Sequence, residues 1–174
     1  MNQTCEITAM KKIEIKVECE ELKYDELSEE DRKLVDTAKE MTRSSYVPYS
    51  KFHVGAALYM ANGRIVRGSN QENAAFSPTM CAERNAMFQA GAIYPGVRPE
   101  KIAIAAWTLG DRPEDTPYEL CFQGQPISPC GVCRQALLEY ETLYGPIQVI
   151  LYGRERILRF SSVASLLPYC FTEF

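Results

Sequence analysis

Residues 101–108 read KIAIAAWT, and after the opening lysine the run is nearly all apolar. That pattern suits a β-strand covered on both faces, since a half-exposed strand alternates polar and apolar residues. Such a strand needs a helical layer on each side. The chain around it supplies candidates. Residues 80–90 and 132–144 read as helices, residues 148–152 and 157–160 as short strands, and residues 162–167 as a final helical turn. The expectation is a three-layer α/β/α domain on a mixed central sheet of about five strands.

Further upstream, Ser28-Glu29-Glu30-Asp31 looks like a helix start, with a serine cap and acids in the first turn. Leu34, Val35, Ala38 and Met41 continue it at helical spacing to Arg43. Val47-Pro48-Tyr49-Ser50 then breaks it. Residues 52–60 and 64–68 read as strands joined by Asn62-Gly63, a strong hairpin signal. Residues 11–18 (KKIEIKVE) alternate polar and apolar, which predicts a strand with one buried face. Residues 109–125 hold two prolines, two glycines and four acids, and read as an unusually long surface loop. No internal repeat or linker interrupts the pattern. Residues 1–174 therefore read as one domain, with an N-terminal extension over 1–26 that carries an added strand and a loop insertion over 109–126.

A chain of 174 residues can build one real core and is too short to assume two. Its net charge is −4 and no cluster of Lys or Arg is visible, which argues against a polynucleotide partner. No apolar run is long enough to span a bilayer, so no membrane partner is expected. Residues 1–10 lack a basic start followed by an apolar core, so no secretory signal is read. The seven cysteines are odd in number. Together with the missing export signal, that disfavours a disulfide framework and favours a metal or catalytic role in the cytoplasm.

Two segments carry chemistry. Pro129-Cys130-Gly131-Val132-Cys133 sets two cysteines on one side of the first turn of a helix. A helix N-terminus is electropositive and favours thiolates. CxxC alone also fits a redox pair, but a thioredoxin-like motif belongs early in the chain and this one comes late. A structural zinc site wants a second pair of ligands, and only Cys81 stands out as a further candidate. Three protein ligands plus an open position describe a catalytic zinc. Cys81 opens another predicted helix, with Glu83 two residues on, where a carboxylate can shuttle protons beside a metal. Three thiolates and Zn²⁺ sum to −1, and Arg84 with two helix N-termini offsets that charge. Taken alone, Glu83 and Arg84 read as a solvated first turn. His53, the one histidine, alternates with Phe52 on a half-buried strand and receives no role. Cys5, Cys19, Cys121 and Cys170 read as ordinary thiols.

Cys81-Ala82-Glu83-Arg84, followed about fifty residues later by PCGVCR, resembles the cytidine deaminase family in its small three-cysteine form. The resemblance extends to residues 47–58 (VPYSKFHVGAAL), to 68–74 (GSNQENA), and to Leu166-Leu167-Pro168 with Phe171, covering 27–171. It implies one Zn²⁺ per chain on Cys81, Cys130 and Cys133, with water in the fourth position. It implies hydrolytic deamination of free cytidine or deoxycytidine to the uracil nucleoside plus ammonia, a pyrimidine-salvage step. Glu83 would take the water's proton, protonate N3 and pass a proton to the departing ammonia. The Ala82 N–H would hold the pyrimidine O2, and the Ser128 carbonyl would accept from the 4-amino group. Asn70 and Glu72 match the pair that grips the ribose 3′-hydroxyl. The Glu72 carboxylate would also repel a phosphorylated substrate. Phe52 matches an aromatic residue of the base pocket and fits a plain core position equally well, while Asn73 reads as a turn residue. The family's small chains form homotetramers whose neighbours complete each site. Phe171 matches a tail phenylalanine that reaches a neighbour's pocket. Phe76 stands where a tyrosine is common and lacks its hydroxyl.

Three rival readings share parts of this pattern. A deaminase of a nucleoside antibiotic such as blasticidin S has the same metal core, but the segment from Asn70 to Asn73 favours an ordinary nucleoside. A polynucleotide deaminase conflicts with the acidic balance of the chain. A non-catalytic zinc module leaves Glu83 without a purpose.

Overall fold

A computed structural model describes residues 12–108 and 115–172. Ten elements follow in chain order: β1 (Glu20–Leu22), α1 (Glu29–Met41), β2 (Phe52–Met60), β3 (Ile65–Ser69), α2 (Ala82–Ile93), β4 (Pro99–Thr108), α3 (Tyr118–Cys121), α4 (Gly131–Tyr144), β5 (Gln148–Tyr152) and β6 (Ile157–Phe160). Short 3₁₀ turns at Tyr24–Glu26, Thr42–Ser44 and Val163–Leu166 join them. The strands form one mixed sheet in the order β1-β6-β5-β4-β2-β3. The β4–β5 pair is parallel and the others are antiparallel.

Local chemistry explains the boundaries. The Ser28 hydroxyl caps α1 by accepting from the Asp31 N–H at 3.1 Å. Gly63 adopts φ +77° in the β2–β3 turn, a conformation that favours glycine. Alternation along the strands then builds two cores. Val54, Ala56 and Leu58 of β2, Ile102 and Ile104 of β4, and Val149 and Leu151 of β5 face α2 and α4. Ala57, Ala103, Ala105 and Ile150 face α1 on the other side. The sheet is thus sandwiched as the apolar run of β4 requires. Small residues bring the helices close. A Cβ at Gly55 would lie 2.0 Å from the Ala38 carbonyl oxygen of α1, and one at Gly68 only 2.3 Å from the Ala82 carbonyl oxygen of α2.

The sheet has six strands, one more than expected. Residues 12–18 do not form the predicted strand; Lys11 lies outside the described residues. The added strand is β1, which starts at Glu20. Glu20 pairs with Arg159, so Cys19 would stand opposite Phe160, where β6 ends, and no strand backbone remains for the residues before it.

The predicted surface loop is also revised. Residues 109–114 lie outside the described part, but α3 follows and Phe122 is fully buried. Phe122 bridges to Trp107 and packs edge-on against Tyr118 and Tyr152. One aromatic anchor pulls a polar segment into the α1-side core. His53 belongs to the same side. It stacks on Trp107 with centroids 3.9 Å apart, and its Nδ1 lies 3.2 Å from the Thr42 carbonyl oxygen. Burial pushes its pKa down, which agrees with a packing role.

The topology fixes where chemistry can sit. β3 and β4 both run antiparallel to β2, so their C-terminal ends share one edge of the sheet with the start of β2. α2 follows β3 and α4 follows β4, so both helix N-termini return to that edge, the usual location for ligands in α/β sheets.

Candidate metal centre and active site

Cys81 is the N-cap of α2 and Cys130 the N-cap of α4. Cys133 lies in the first turn of α4, and its N–H points at the Cys130 sulfur at 3.5 Å. The three sulfurs lie within 4.8 Å of one another. Cys81 Sγ and Cys130 Sγ are 4.0 Å apart, and Cys130 Sγ and Cys133 Sγ 3.4 Å apart. A tetrahedral zinc with Zn–S bonds of about 2.3 Å sets its sulfurs about 3.8 Å apart. The donor set therefore fits zinc in both chemistry and spacing. Cys81 and Cys130 retain exposure while Cys133 is buried, so the cluster opens on one side.

Charge at the cluster is managed as a thiolate site requires. Arg84 Nη2 approaches Cys81 Sγ at 3.8 Å. Hydrogen bonding from Cys133, assisted by Arg84, pushes the Cys81 thiol down to about 5. The same pairing, with burial, pushes Cys133 up. The first thiolate thus forms where the guanidinium faces it. The same Nη2 lies 3.5 Å from the Thr79 carbonyl oxygen, and among the described residues Arg84 Nε is buried with no hydrogen-bond partner.

Glu83 is 4% exposed, in the first turn of α2, and its carboxyl contacts the Cys133 thiol. Burial pushes it up to about 7, with the charge of Cys81 adding to the effect. A carboxyl poised near neutrality beside a metal-ligating cluster can both take and return a proton. Ala82 is the first residue of α2, so its N–H has no partner within the helix. The side-chain oxygen of Ser128 accepts from Arg134 Nη2 at 2.8 Å.

The segment from Asn70 to Glu72 reaches the cluster through the backbone. Gln71 and Met80 exchange two N–H···O bonds of 2.9 Å, placing the segment beside Cys81. Asn70 is not a free polar side chain. Its Oδ1 accepts from the Val54 N–H and its Nδ2 donates to the Phe52 carbonyl, each at 2.9 Å. One amide hydrogen and one lone pair remain for a ligand. Glu72 Oε2 accepts from the N–H groups of Tyr49 and Ser50 at 3.0 and 3.2 Å. Hydrogen bonds, the Ser50 side chain's first, hold this carboxyl below the usual carboxylate range. Glu72 also lines a pocket of about 260 Å³ with Tyr49, Ser50, Asn73, Phe76 and Thr79.

Phe52 is half-buried and packs against the α2/α4-side core. Asn73 is a turn residue as expected, its Oδ1 accepting from the Ala75 N–H. Phe76 is 83% exposed in a left-handed conformation (φ +64°). Phe171 is 61% exposed, and its carbonyl accepts from Gln135 Nε2 at 2.8 Å. The tail is thereby tied to α4 through its backbone, which leaves the aromatic ring outward.

Sequence reasoning missed Arg134. It donates to the Pro129 carbonyl at 2.8 Å, to the Leu166 carbonyl at 2.7 Å and to Ser128 Oγ. It clamps the loop before Cys130 to the C-terminal 3₁₀ turn. The available signal was its place directly after the CxxC pair, where a helix would carry it beside its own N-terminus.

Residues 28–144 match the family described as the cytidine and deoxycytidylate deaminase zinc-binding region. The chain belongs to this family. The matched span holds Cys81, Glu83, Cys130 and Cys133, and a zinc cofactor follows from the family together with the three-sulfur geometry. Among relatives of this deaminase-family chain, a cytidine deaminase of Sporosarcina psychrophila is 40% identical over 142 residues, covering 81% of this chain and 90% of that one. A cytidine deaminase of Halalkalibacterium halodurans is 37% identical over 139 residues, covering 80% and 92%. The crystal structure of cytidine deaminase from Burkholderia pseudomallei superposes with a TM-score of 0.63 at 35% identity, covering 83% of this chain and all of that one. The cytidine deaminase of Mycobacterium tuberculosis gives 0.62 at 27% identity, covering 84% of this chain.

Proposed function

We propose that this chain hydrolyses the exocyclic amine of free cytidine or deoxycytidine, releasing ammonia and the uracil nucleoside. The observation that carries the reading is Glu83, a buried carboxyl of raised pKa held against three clustered cysteine sulfurs. Cys81, Cys130 and Cys133 hold the metal, which when bound supplies Lewis acidity that makes water a nucleophile near neutral pH. Glu83 accepts a proton from the attacking water and delivers it to N3 of the ring, then takes the second proton from the new C4 hydroxyl and passes it to the departing ammonia as the C4–N bond breaks. Burial of the carboxyl is what makes both directions of transfer accessible.

The remaining residues position the substrate. The Ala82 N–H, lacking a helical partner, donates to the pyrimidine O2, and the Ser128 carbonyl accepts from the 4-amino group. Asn70 and Glu72 hold the ribose, with Glu72 kept ionised by its own donors. That fixed negative charge disfavours a 5′-phosphate nearby and selects nucleoside over nucleotide. Phe52 borders the base. The chain is read as one deaminase domain with the extension over 1–26 and the insertion over 109–126. Copies assemble as homotetramers, with Phe171 and Phe76 extending toward a neighbour's pocket; the outward ring of Phe171 and the exposure of Phe76 support that placement. Three reduced thiols at an open site suit a cytoplasmic setting. Among the described residues no helix is long and apolar enough to cross a membrane.

The test is ultraviolet monitoring of cytidine and deoxycytidine with the purified protein, alongside metal analysis of the same sample. Loss of cytosine absorbance with stoichiometric ammonia, at about one zinc per chain, is the expected result. A folded, zinc-loaded protein that leaves both nucleosides untouched would overturn the substrate assignment.

A further inference from the structure

Residues 12–18 lead into β1 but pair with no strand among the described residues. Their sequence is KIEIKVE. The odd positions are apolar and unusually open: Ile13 is 81% exposed, Ile15 54% and Val17 48%. The even positions alternate in charge, Lys12, Glu14, Lys16 and Glu18. β6 stops at Phe160, so among the described residues no strand runs on alongside this overhang.

We propose that the overhang is a self-association strand that pairs antiparallel with the same segment of a second copy, about a two-fold axis through Ile15. Charge selects this partner and this register. With Ile15 opposite Ile15, Lys12 faces Glu18 and Glu14 faces Lys16, and Ile13 meets Val17. Every charged side chain then opposes its complement, and every apolar one an apolar one. Sliding the strands by one step of the pairing, so that Glu14 opposes Glu14 or Lys16 opposes Lys16, sets like charges against each other. Like charges directly opposite destabilise a sheet. A half-step slip sends the apolar set to the wrong face. Parallel, in-register pairing stacks Lys on Lys and Glu on Glu. The pairing also satisfies backbone groups that an unpaired extended segment leaves open. It is independent of how other surfaces of the chain associate and of the proposed activity.

The test is disulfide trapping in the full-length, zinc-loaded protein. Opposed residues of an antiparallel pair have Cα atoms about 4.5–5.5 Å apart, within the span of a disulfide. Ile15→Cys should give a covalent dimer under mild oxidation, several-fold above the unsubstituted chain, whose exposed Cys19 and Cys170 set the background. Glu14→Cys should not, because its counterpart lies two residues along the partner strand. Adding Lys12→Glu and Lys16→Glu to Ile15→Cys, which makes all four charges negative, should abolish the link. Reversing all four charges together should restore it. A thermal melt of each variant checks folding. Trapping by Glu14→Cys equal to that by Ile15→Cys, or trapping indifferent to the charge reversals, overturns the proposal, as does a failure of Ile15→Cys to link in a folded protein.

Discussion

Two buried glutamates on neighbouring helices behave as opposites. Glu141 in α4 is 8% exposed, and Glu83 in α2 is 4% exposed. Glu141 accepts four hydrogen bonds, from the Ile147, Val163 and Ala164 N–H groups and the Ser162 hydroxyl, at 2.6 to 3.0 Å. Both its oxygens are saturated by donors that the fold holds in place. It fastens the start of β5 and the C-terminal 3₁₀ turn to α4. Glu83 has a thinner cradle: its own backbone N–H and the Cys133 thiol are its donors, with the Cys81 sulfur and the Arg84 guanidinium nearby. Burial with so few donors is costly for a carboxylate, and that cost outweighs them and lifts its proton affinity. The contrast teaches that burial alone does not mark a functional acid. The state of its hydrogen bonding does.

The contrast can be broken or sharpened by substitution. The largest effect is expected for Glu83→Gln: turnover of cytidine falls by about a thousandfold or more, while zinc content is retained. Stability should hold or rise, because a neutral amide is cheaper to bury than a carboxylate. Next comes Glu141→Gln, which presents an NH₂ group to fixed backbone donors. We expect a loss of roughly 3 kcal/mol of stability, read from urea midpoints, with turnover per folded molecule unchanged. If the two variants lost stability equally, the distinction between a fully and a thinly cradled carboxyl would fail.

The smallest effect concerns Arg134, which joins the two regions by binding the Pro129 and Leu166 carbonyls. Lysine cannot reproduce a planar fork that serves three acceptors. Arg134→Lys should lower kcat/KM by about tenfold through a loosened Ser128–Pro129 loop, with zinc content intact. Loss of zinc from that variant would place Arg134 in the metal site rather than in the support around it.

The particular residues show why some features were legible and others were not. The hairpin at Asn62-Gly63, the cap at Ser28 and the strand at 101–108 depend on neighbours in sequence, and each was readable. The CxxC pair was readable because a helix turn brings residues three apart together. Glu141 was invisible: an isolated Glu in a helix looks solvent-facing until the partners at 147 and 162–164 fold over it. Phe122 was hidden among prolines and acids because its burial depends on Trp107, Tyr118 and Tyr152. The strand predicted at 11–18 failed because alternation describes a side chain's preference, whereas a strand exists only where another strand runs alongside.

The sequence by itself determined the order of the main helices and strands, which rests on local spacing, and its motifs marked Cys81, Glu83, Cys130 and Cys133 as candidates through their resemblance to a family. Tertiary structure decided the rest. It set the two helix N-termini on one sheet edge, through close contacts such as Gly68 against Ala82, and buried Glu83 with fewer donors than Glu141. It also ended β6 at Phe160, leaving residues 12–18 without a strand partner among the described residues. Distances between residues far apart in the chain are fixed by packing, and packing is a property of the whole fold.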